Sequence, residues 1–284
     1  MKDSNSNTNY TNIILNLCQD LNKKKAAFTL AEGATHVDLP PTKVKFAFTL
    51  AEVLITLGII GIVAAMTIPT LISKNQKRVI EAKIKEDYSI IQQVIKSNEA
   101  NDTDMSMIVK DHDIESQKEW FNTYFAPYMK YSQVCYDEKG CWQSKKENLT
   151  LIGERPAYDK GIIGLGIGYD IITIRLANGT NLCIDGFEES DYGFFGLNQG
   201  DLDFLVIYID ANGDSGPNVI GKDIFILTYT PEYGVLPAGA HKSTSVVNQN
   251  CSKDAGEINA GYFCLLKMKD NGWEIPDDVW NKKV

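Results

Sequence analysis

Residues Phe48–Ile72 read FTLAEVLITLGIIGIVAAMTIPTLI, and their only charged side chain is that of Glu52. As a helix, the segment would be about 37 Å long, enough to cross a bilayer whose hydrocarbon core is about 30 Å thick. It is also longer than the apolar region of a secretory signal peptide. The segment therefore predicts a membrane-spanning helix, and the lysines on both sides leave its orientation open.

Four residues stand at defined positions at the start of the apolar segment and inside it. Ala47 stands directly before Phe48, Glu52 is the fifth residue counted from Phe48, and Pro69 is the twenty-second. The combination resembles the N-terminal segment of type IV pilins and of the pseudopilins of type II secretion. The resemblance implies that residues 1–47 are a leader, that prepilin peptidase cleaves between Ala47 and Phe48, and that Phe48 is then N-methylated.

A partial copy of the cleavage motif lies inside the predicted leader. AFTLAE at residues 27–32 repeats AFTLAE at residues 47–52, but GATHVD follows the first copy where the apolar run follows the second. Without a membrane segment the first copy cannot be presented for cleavage. We expect it to be a duplicated leader without a structural role.

Glu52 is a carboxylate inside an apolar segment. An ionised carboxylate near the membrane is costly and tends to be retained for a partner. The pilin resemblance supplies one, since the free amine of a cleaved Phe48 on a neighbouring subunit would neutralise Glu52 in a filament. The alternative is a carboxylate that reaches the membrane interface near the end of the segment. The filament interpretation gives assembly roles to Glu52 and to Pro69, which is expected to kink the helix.

Residues 73–100 are predicted to continue the helix as an amphipathic extension. Apolar residues recur at steps of three and four, at Ile80, Ile84, Tyr88, Ile91, Val94 and Ile95. Charged residues, Asp87 among them, are expected on the other sides of the helix. The pattern is typical of a half-exposed helix lying on a globular head.

Residues 101–284 are predicted to form that head. A polar connector over 101–113 precedes a helix over 115–130 with aromatic side chains at helical spacing. Strands are predicted over 171–176, 181–185, 203–210 and 223–229, with Asn178-Gly179 as a hairpin turn between the first two. Short connections favour an antiparallel meander. Packed across the helix, this sheet gives an α+β fold, the architecture of pilin-like heads.

The segment between the last two predicted strands is rich in carboxylate and amide oxygens. Asp210, Asn212 and Asp214 have the alternate spacing of calcium loops, and Asp223 follows. Ser215 and Gly221 stand where an EF-hand needs Gly and an acidic residue, which excludes that motif. Two interpretations remain, a calcium site and a polar turn whose Asp and Asn side chains bond their own backbone.

Five of the six cysteines lie after the predicted leader, which contains Cys18. Cys135 with Cys141, and Cys251 with Cys264, are the predicted disulfides of an exported head. Cys183 is then left as a buried thiol. Zinc is not predicted, because the chain has only His36, His112 and His241 to add to the cysteines.

Charge and motifs narrow the function classes. The chain has a formal net charge of −9, so it lacks the basic footprint of a nucleic-acid binder. Gly164, Gly166 and Gly168 have the wrong spacing for a dinucleotide site. Nor do the histidines lie in a recognisable nucleophile or base motif. We therefore expect no enzymatic activity and no required cofactor.

The resemblance implies a structural subunit of a bacterial type IV pilus or of a type II secretion-like filament. Such a subunit is first a single-pass protein of the inner membrane with an extracytoplasmic head, and then part of a periplasmic or cell-surface filament. Its expected partners are prepilin peptidase, other pilin-like subunits and the inner-membrane assembly machinery. The alternative is a membrane-anchored extracytoplasmic enzyme or ligand-binding protein that uses the segment only as an anchor.

Overall fold

The computed structural model describes residues 49–101, 103, 113–138, 140–142, 148–156, 171–187, 192–198 and 204–284. The predicted leader with its cleavage site at Ala47 and Phe48, most of the polar connector, and the glycines at 164, 166 and 168 lie outside the described residues. The helices in the described part are α1 (Leu50–Ala100), α2 (Ile114–Tyr124), α3 (Tyr192–Phe195), α4 (Thr244–Asn250), α5 (Cys264–Asp270) and α6 (Asp277–Trp280).

Helix α1 contains the apolar segment and the amphipathic extension without a break. From Ile80 onward one face is buried, with Ile80, Ile84, Tyr88, Ile91, Val94 and Ile95 each at most 5% exposed. These are the residues that the three- and four-residue spacing selects, so the buried face follows the sequence pattern.

Within the described residues, six strands form one antiparallel sheet whose spatial order is the chain order. The strands are β1 (Tyr131–Tyr136), β2 (Ile172–Leu176), β3 (Asn181–Phe187), β4 (Phe204–Asp210), β5 (Ile224–Thr230) and β6 (Gly234–Pro237). The predicted α+β class, with a long helix and an antiparallel meander, is confirmed. Strands β1 and β6 are additions at the two edges.

Both faces of the sheet are covered. Leu182, Ile184 and their neighbours on one face share a core with the buried face of α1. Cys183 and Tyr208, on the other face, belong to a second core with the aromatic side chains of α3 and of the segment before α5. Strand β4 is buried along its whole length, as expected for a strand covered on two sides.

The predicted helix over 115–130 is shorter in the structure. Helix α2 ends at Tyr124, and Phe125 and Ala126 both donate backbone hydrogen bonds to the carbonyl of Phe121. Pro127 explains the end, because the residue before a proline disfavours helical backbone and proline itself lacks an N–H donor. The chain then enters β1.

The cysteines of the head pair as the sequence predicts. Cys135 and Cys141 form one disulfide, and Cys251 and Cys264 form another. Cys183 is a fully buried free thiol, and burial raises its pKa well above the ordinary value. A thiol of this kind is largely protonated and unreactive at neutral pH.

Candidate assembly segment and acidic loop

Helix α1 begins with a capping box formed by Thr49 and Glu52. The Thr49 side chain accepts a hydrogen bond from the Glu52 backbone N–H at 3.3 Å. Glu52 Oε2 in turn accepts from the Thr49 backbone N–H at 2.8 Å and from its hydroxyl at 2.7 Å. This reciprocal arrangement satisfies two backbone donors at the helix start. Glu52 therefore has a local role that the sequence reading did not assign.

The helix surface after this cap is apolar and exposed. Every large apolar side chain from Leu50 to Ile72 is at least 42% exposed. The most apolar 18-residue window has a mean hydropathy of 2.2 and no buried residues, so the described chain contains one helix long and apolar enough to cross a membrane. A contiguous apolar surface of this size indicates a lipid or protein partner.

Pro69 lies inside the apolar part of α1 without ending the helix. Its ring nitrogen has no proton, so the carbonyl four residues earlier loses its usual donor. Two threonine hydroxyls bond nearby carbonyls of the preceding turn, from Thr67 to Val63 at 2.9 Å and from Thr70 to Met66 at 3.4 Å. Neither of these two bonds reaches the Ala65 carbonyl, which is the one that Pro69 leaves without its usual donor.

A buried carboxylate fastens α1 to the sheet. Asp87 is fully buried, which corrects the expectation that it is exposed. It accepts hydrogen bonds from Asn178 Nδ2 at 2.9 Å and from Thr180 Oγ1 at 2.8 Å, both at the turn between β2 and β3. Burial raises the pKa of Asp87 to about 6 although these two bonds act in the opposite direction. One turn earlier on the same helix, Lys83 Nζ donates to the carbonyl of Ala211 at 3.0 Å.

The C-terminal residues Ile275–Val284, here called the C-terminal strap, run along α1. Three contacts define the strap: the Ile275 N–H donates to Glu81 Oε1 at 2.9 Å, Lys77 pairs with Asp277, and Trp280 Nε1 donates to Ser73 Oγ at 2.9 Å. Ser73, Lys77 and Glu81 are spaced by four and share one helix face. From Ile275 to Trp280 the strap runs antiparallel to α1, so that Trp280 lies beside Ser73, the residue that follows the apolar segment. Beyond Trp280 the strap contacts the head, at Lys222 and Gly153.

The predicted calcium ligands lie in the loop between β4 and β5, residues 210–223, here called the acidic loop. Asp223 is fully buried and accepts from the backbone N–H groups of Val219 at 2.6 Å and Asn218 at 2.7 Å, and from Asn212 Nδ2 at 3.0 Å. Burial raises the pKa of Asp223 to about 6. Asp210 accepts from the Asn212 N–H at 3.3 Å, and burial with the nearby Asp223 charge raises its pKa well above the ordinary value.

The fourth predicted ligand points elsewhere. Asp214 forms an ion pair with Arg175 at 3.1 Å on the β2 side of the loop. Asn212 Oδ1 is buried without a hydrogen-bond partner among the described residues, and within that part of the chain no group of three His, Cys, Asp or Glu residues is placed to hold a metal. A calcium ion bound here would have to replace several of these hydrogen bonds, and calcium binding stays a prediction.

Sequence reasoning located some of these residues and missed others. Ala47 and Phe48, the predicted processing residues, lie outside the described part of the chain. The roles of Asp87 and Trp280 were not predicted. Asp87 could have been found from its position, three residues after Ile84 and four before Ile91, on the helix face that the apolar pattern marks as buried.

Among known protein families, residues 70–151 match a family of unknown function (DUF6613). The match covers less than a third of the 284 residues and extends from the end of the apolar segment into the head. Neither the curated proteins nor the solved structures give a significant match. The matched region contains Ser73 and Asp87, two of the residues through which α1 contacts the rest of the head.

Proposed function

We propose that the protein is a prepilin-like subunit, cleaved and N-methylated at Phe48, that assembles through α1 into a type IV pilus or a secretion pseudopilus. One observation carries the proposal. The exposed apolar segment that follows the Ala47-Phe48 motif continues as a single helix into the core of an antiparallel head. The same helix can therefore anchor the free subunit and pack against other subunits after assembly.

The physical basis for assembly is the apolar surface of Leu50–Ile72. In the membrane this surface is solvated by lipid, and in a filament the same side chains would be covered by equivalent helices of other subunits. The head remains outside the bilayer, which agrees with two disulfides among its described residues, because such bonds persist in oxidising compartments.

The expected partners are those that act on the subunit as it passes from the membrane into a filament. Prepilin peptidase removes residues 1–47, the inner-membrane assembly machinery extracts the subunit, and other pilin-like subunits receive it. The filament is periplasmic or on the cell surface. No catalytic step is assigned to the head, and its role in the proposal is mechanical.

Mass spectrometry of the protein from native membranes tests the proposal. We expect an N-terminal peptide that begins with N-methylated Phe48. Ala47→Leu should block processing, because the cleavage site requires a small residue. Ala27→Leu is a matched control, since it changes the same position of the duplicated motif and should leave processing intact. An unprocessed leader in the wild-type protein would favour the simple membrane anchor.

A further inference from the structure

We propose that the C-terminal strap, together with the start of the amphipathic half of α1, forms a basic surface that binds the headgroups of anionic phospholipids while the subunit is in the membrane. The inference rests on the proposed membrane insertion and goes beyond it, because neither processing nor filament packing requires the C-terminus to contact lipid.

The depth of the strap follows from one hydrogen bond. Trp280 Nε1 lies 2.9 Å from Ser73 Oγ, and Ser73 directly follows Ile72, the last residue of the apolar segment. If that segment fills the bilayer core, the indole of Trp280 lies at the boundary between the acyl chains and the headgroups. Tryptophan is enriched at this depth, because its ring is apolar and its N–H is polar. Trp280 is half-buried, so part of the ring is accessible.

Basic residues follow both Ser73 and Trp280 in the sequence of an otherwise acidic protein. They are Lys74, Lys77 and Arg78 on the helix, and Lys282 and Lys283 on the strap. Two of the acidic groups beside them are occupied: Asp277 pairs with Lys77, and Asp278 accepts a hydrogen bond from the Lys253 N–H at 3.3 Å.

The pKa of Asp277 is below its ordinary value, mainly because Lys77 donates a hydrogen bond to it. The positive charges of Lys77 and Lys74 lower the pKa further. Lys74 therefore lies close to the strap. Lys74, Arg78 and Lys283 are exposed, and they are free to meet lipid phosphates.

The strap is held against the head, which keeps its basic side chains in position to bind lipid headgroups. Lys222, which is largely buried, donates to the carbonyl of Lys282. Together with the Glu81 and Ser73 contacts, this bond holds the strap against the head at both of its ends. Basic side chains held at a membrane surface are attracted to anionic lipid with an energy that adds for each residue. We expect the surface to fix the height and tilt of the head before assembly.

Depth-dependent quenching of tryptophan fluorescence tests the inference on the full chain in phospholipid vesicles. The vesicles contain phosphatidylcholine with about 30% phosphatidylglycerol, an anionic lipid, and a nitroxide quencher either on the headgroup or deep in the acyl chains. We expect the headgroup quencher to lower the emission more than the deep one. Trp280→Phe should remove this difference, because Trp273 packs on Tyr88, about 22 Å along α1 from Ser73, and Trp120 and Trp142 are buried in the head.

Charge variants distinguish binding of anionic headgroups by the lysines from a mere location of Trp280 near the membrane surface. Lys282→Gln combined with Lys283→Gln should lower headgroup quenching by roughly half or more, and only when phosphatidylglycerol is present. Lys96→Gln combined with Lys118→Gln removes the same charge near the end of α1 that lies far from Ser73 and should have no effect. That end is marked by Asn98, which donates to the carbonyl of Tyr124 at 2.7 Å, about 37 Å along α1 from Ser73.

The outcomes distinguish this inference from the proposed function. A chain that resists alkaline extraction from the vesicles but shows equal quenching in the wild type and in Trp280→Phe would overturn the inference and leave membrane insertion standing. Equal quenching with and without phosphatidylglycerol would overturn it as well. A chain that alkali extracts would contradict the insertion itself, and the inference with it. If Trp280→Phe fails to fold, the lysine variants decide.

Discussion

Asp87 of helix α1 accepts a hydrogen bond from Thr180 Oγ1 at 2.8 Å, across 93 residues of sequence. The contact joins the helix to the hairpin turn of β2 and β3 at a point where the carboxylate is fully buried. Burial raises the pKa of Asp87, and three groups act to lower it. The neutral donors of the turn, the Asn178 amide and the Thr180 hydroxyl, lower it more than the charge of Lys83 does. The strength of this one contact between the helix and the turn therefore depends on the protonation state of Asp87.

Stability should fall as the pH rises through the range in which Asp87 titrates. Its pKa in the folded chain is about 6, above the ordinary 3.8, so the folded state binds more protons than the unfolded state between these values. The stabilisation is thus present in mildly acid solution and lost towards neutral pH. The raised pKa corresponds to roughly 3 kcal/mol at most. Asp223 has a pKa of about 6 as well and adds to the effect in the same direction.

Thermal unfolding of the detergent-solubilised protein at about pH 5.5 and about pH 7.5 measures this dependence. We expect a Tm several degrees higher at the lower pH and a smaller difference in Asp87→Asn, which keeps the shape of the side chain and removes its titration. Glu99→Gln removes an exposed carboxylate of the same helix and should keep the wild-type dependence. An unchanged pH dependence in Asp87→Asn would contradict the assignment.

The helix and the central strands were predictable because their signals are local. A long apolar run, a three- and four-residue period and an Asn-Gly turn each depend on neighbouring residues. Strand β1 was missed because it follows directly after an aromatic helical pattern, and because its sequence YSQVCY, half of whose residues are exposed, lacks a clear apolar alternation. Local periodicity alone did not separate the helix from the strand.

The contacts of the strap could not be predicted from the sequence. Trp280 and Ser73 are separated by 207 residues, and Ile275 and Glu81 by 194. No sequence motif around either pair indicates that its two residues come into contact. The acidic loop is an intermediate case, since its spacing marks a turn rich in oxygen ligands, while burial and the direction of each side chain decide whether those oxygens meet a metal or the backbone.

The cysteine pairing gives a labelling pattern. With both disulfides formed, the denatured and unreduced mature chain should react with one equivalent of maleimide, at Cys183. The unprocessed chain should react with two, because it retains Cys18. Reaction at Cys251 or Cys264 before reduction would contradict the pairing. Replacing both of these cysteines by serine should lower the stability by about 3 kcal/mol, as expected for a loop of this length.

Asp223 should matter for stability with or without calcium. Asp223→Ala leaves the buried N–H groups of Asn218 and Val219 without their acceptor, at a cost of about 2–5 kcal/mol in the free energy of unfolding. Asp214→Ala is the control, since its partly exposed ion pair with Arg175 contributes about 0–1 kcal/mol. Chemical denaturation in a chelator measures both.

Added calcium then tests the metal interpretation of the same loop. If the ion binds Asp210, Asn212, Asp214 and Asp223, calcium should raise the Tm of the wild type, and Asp214→Ala should lose that response. A calcium response that survives the loss of Asp214 would place the ion elsewhere. The absence of a response in the wild type would leave the loop as a turn held by its own hydrogen bonds.

Glu52→Ala separates membrane insertion from filament assembly. The substitution removes a carboxylate from an apolar segment, so insertion should persist, and the head should fold as before. In a filament it would leave the Phe48 amine of the next subunit unpaired, and the loss of one partner of a buried pair typically costs about 3–5 kcal/mol. Glu52 also bonds Thr49 in the capping box, so Thr49→Ala is the control that weakens the cap and keeps the carboxylate. We expect Glu52→Ala to be found in the membrane fraction and absent from sheared filaments, and Thr49→Ala to be found in both. Normal incorporation of Glu52→Ala into filaments would exclude the pairing mechanism, and equal defects in both variants would assign the effect to the helix cap.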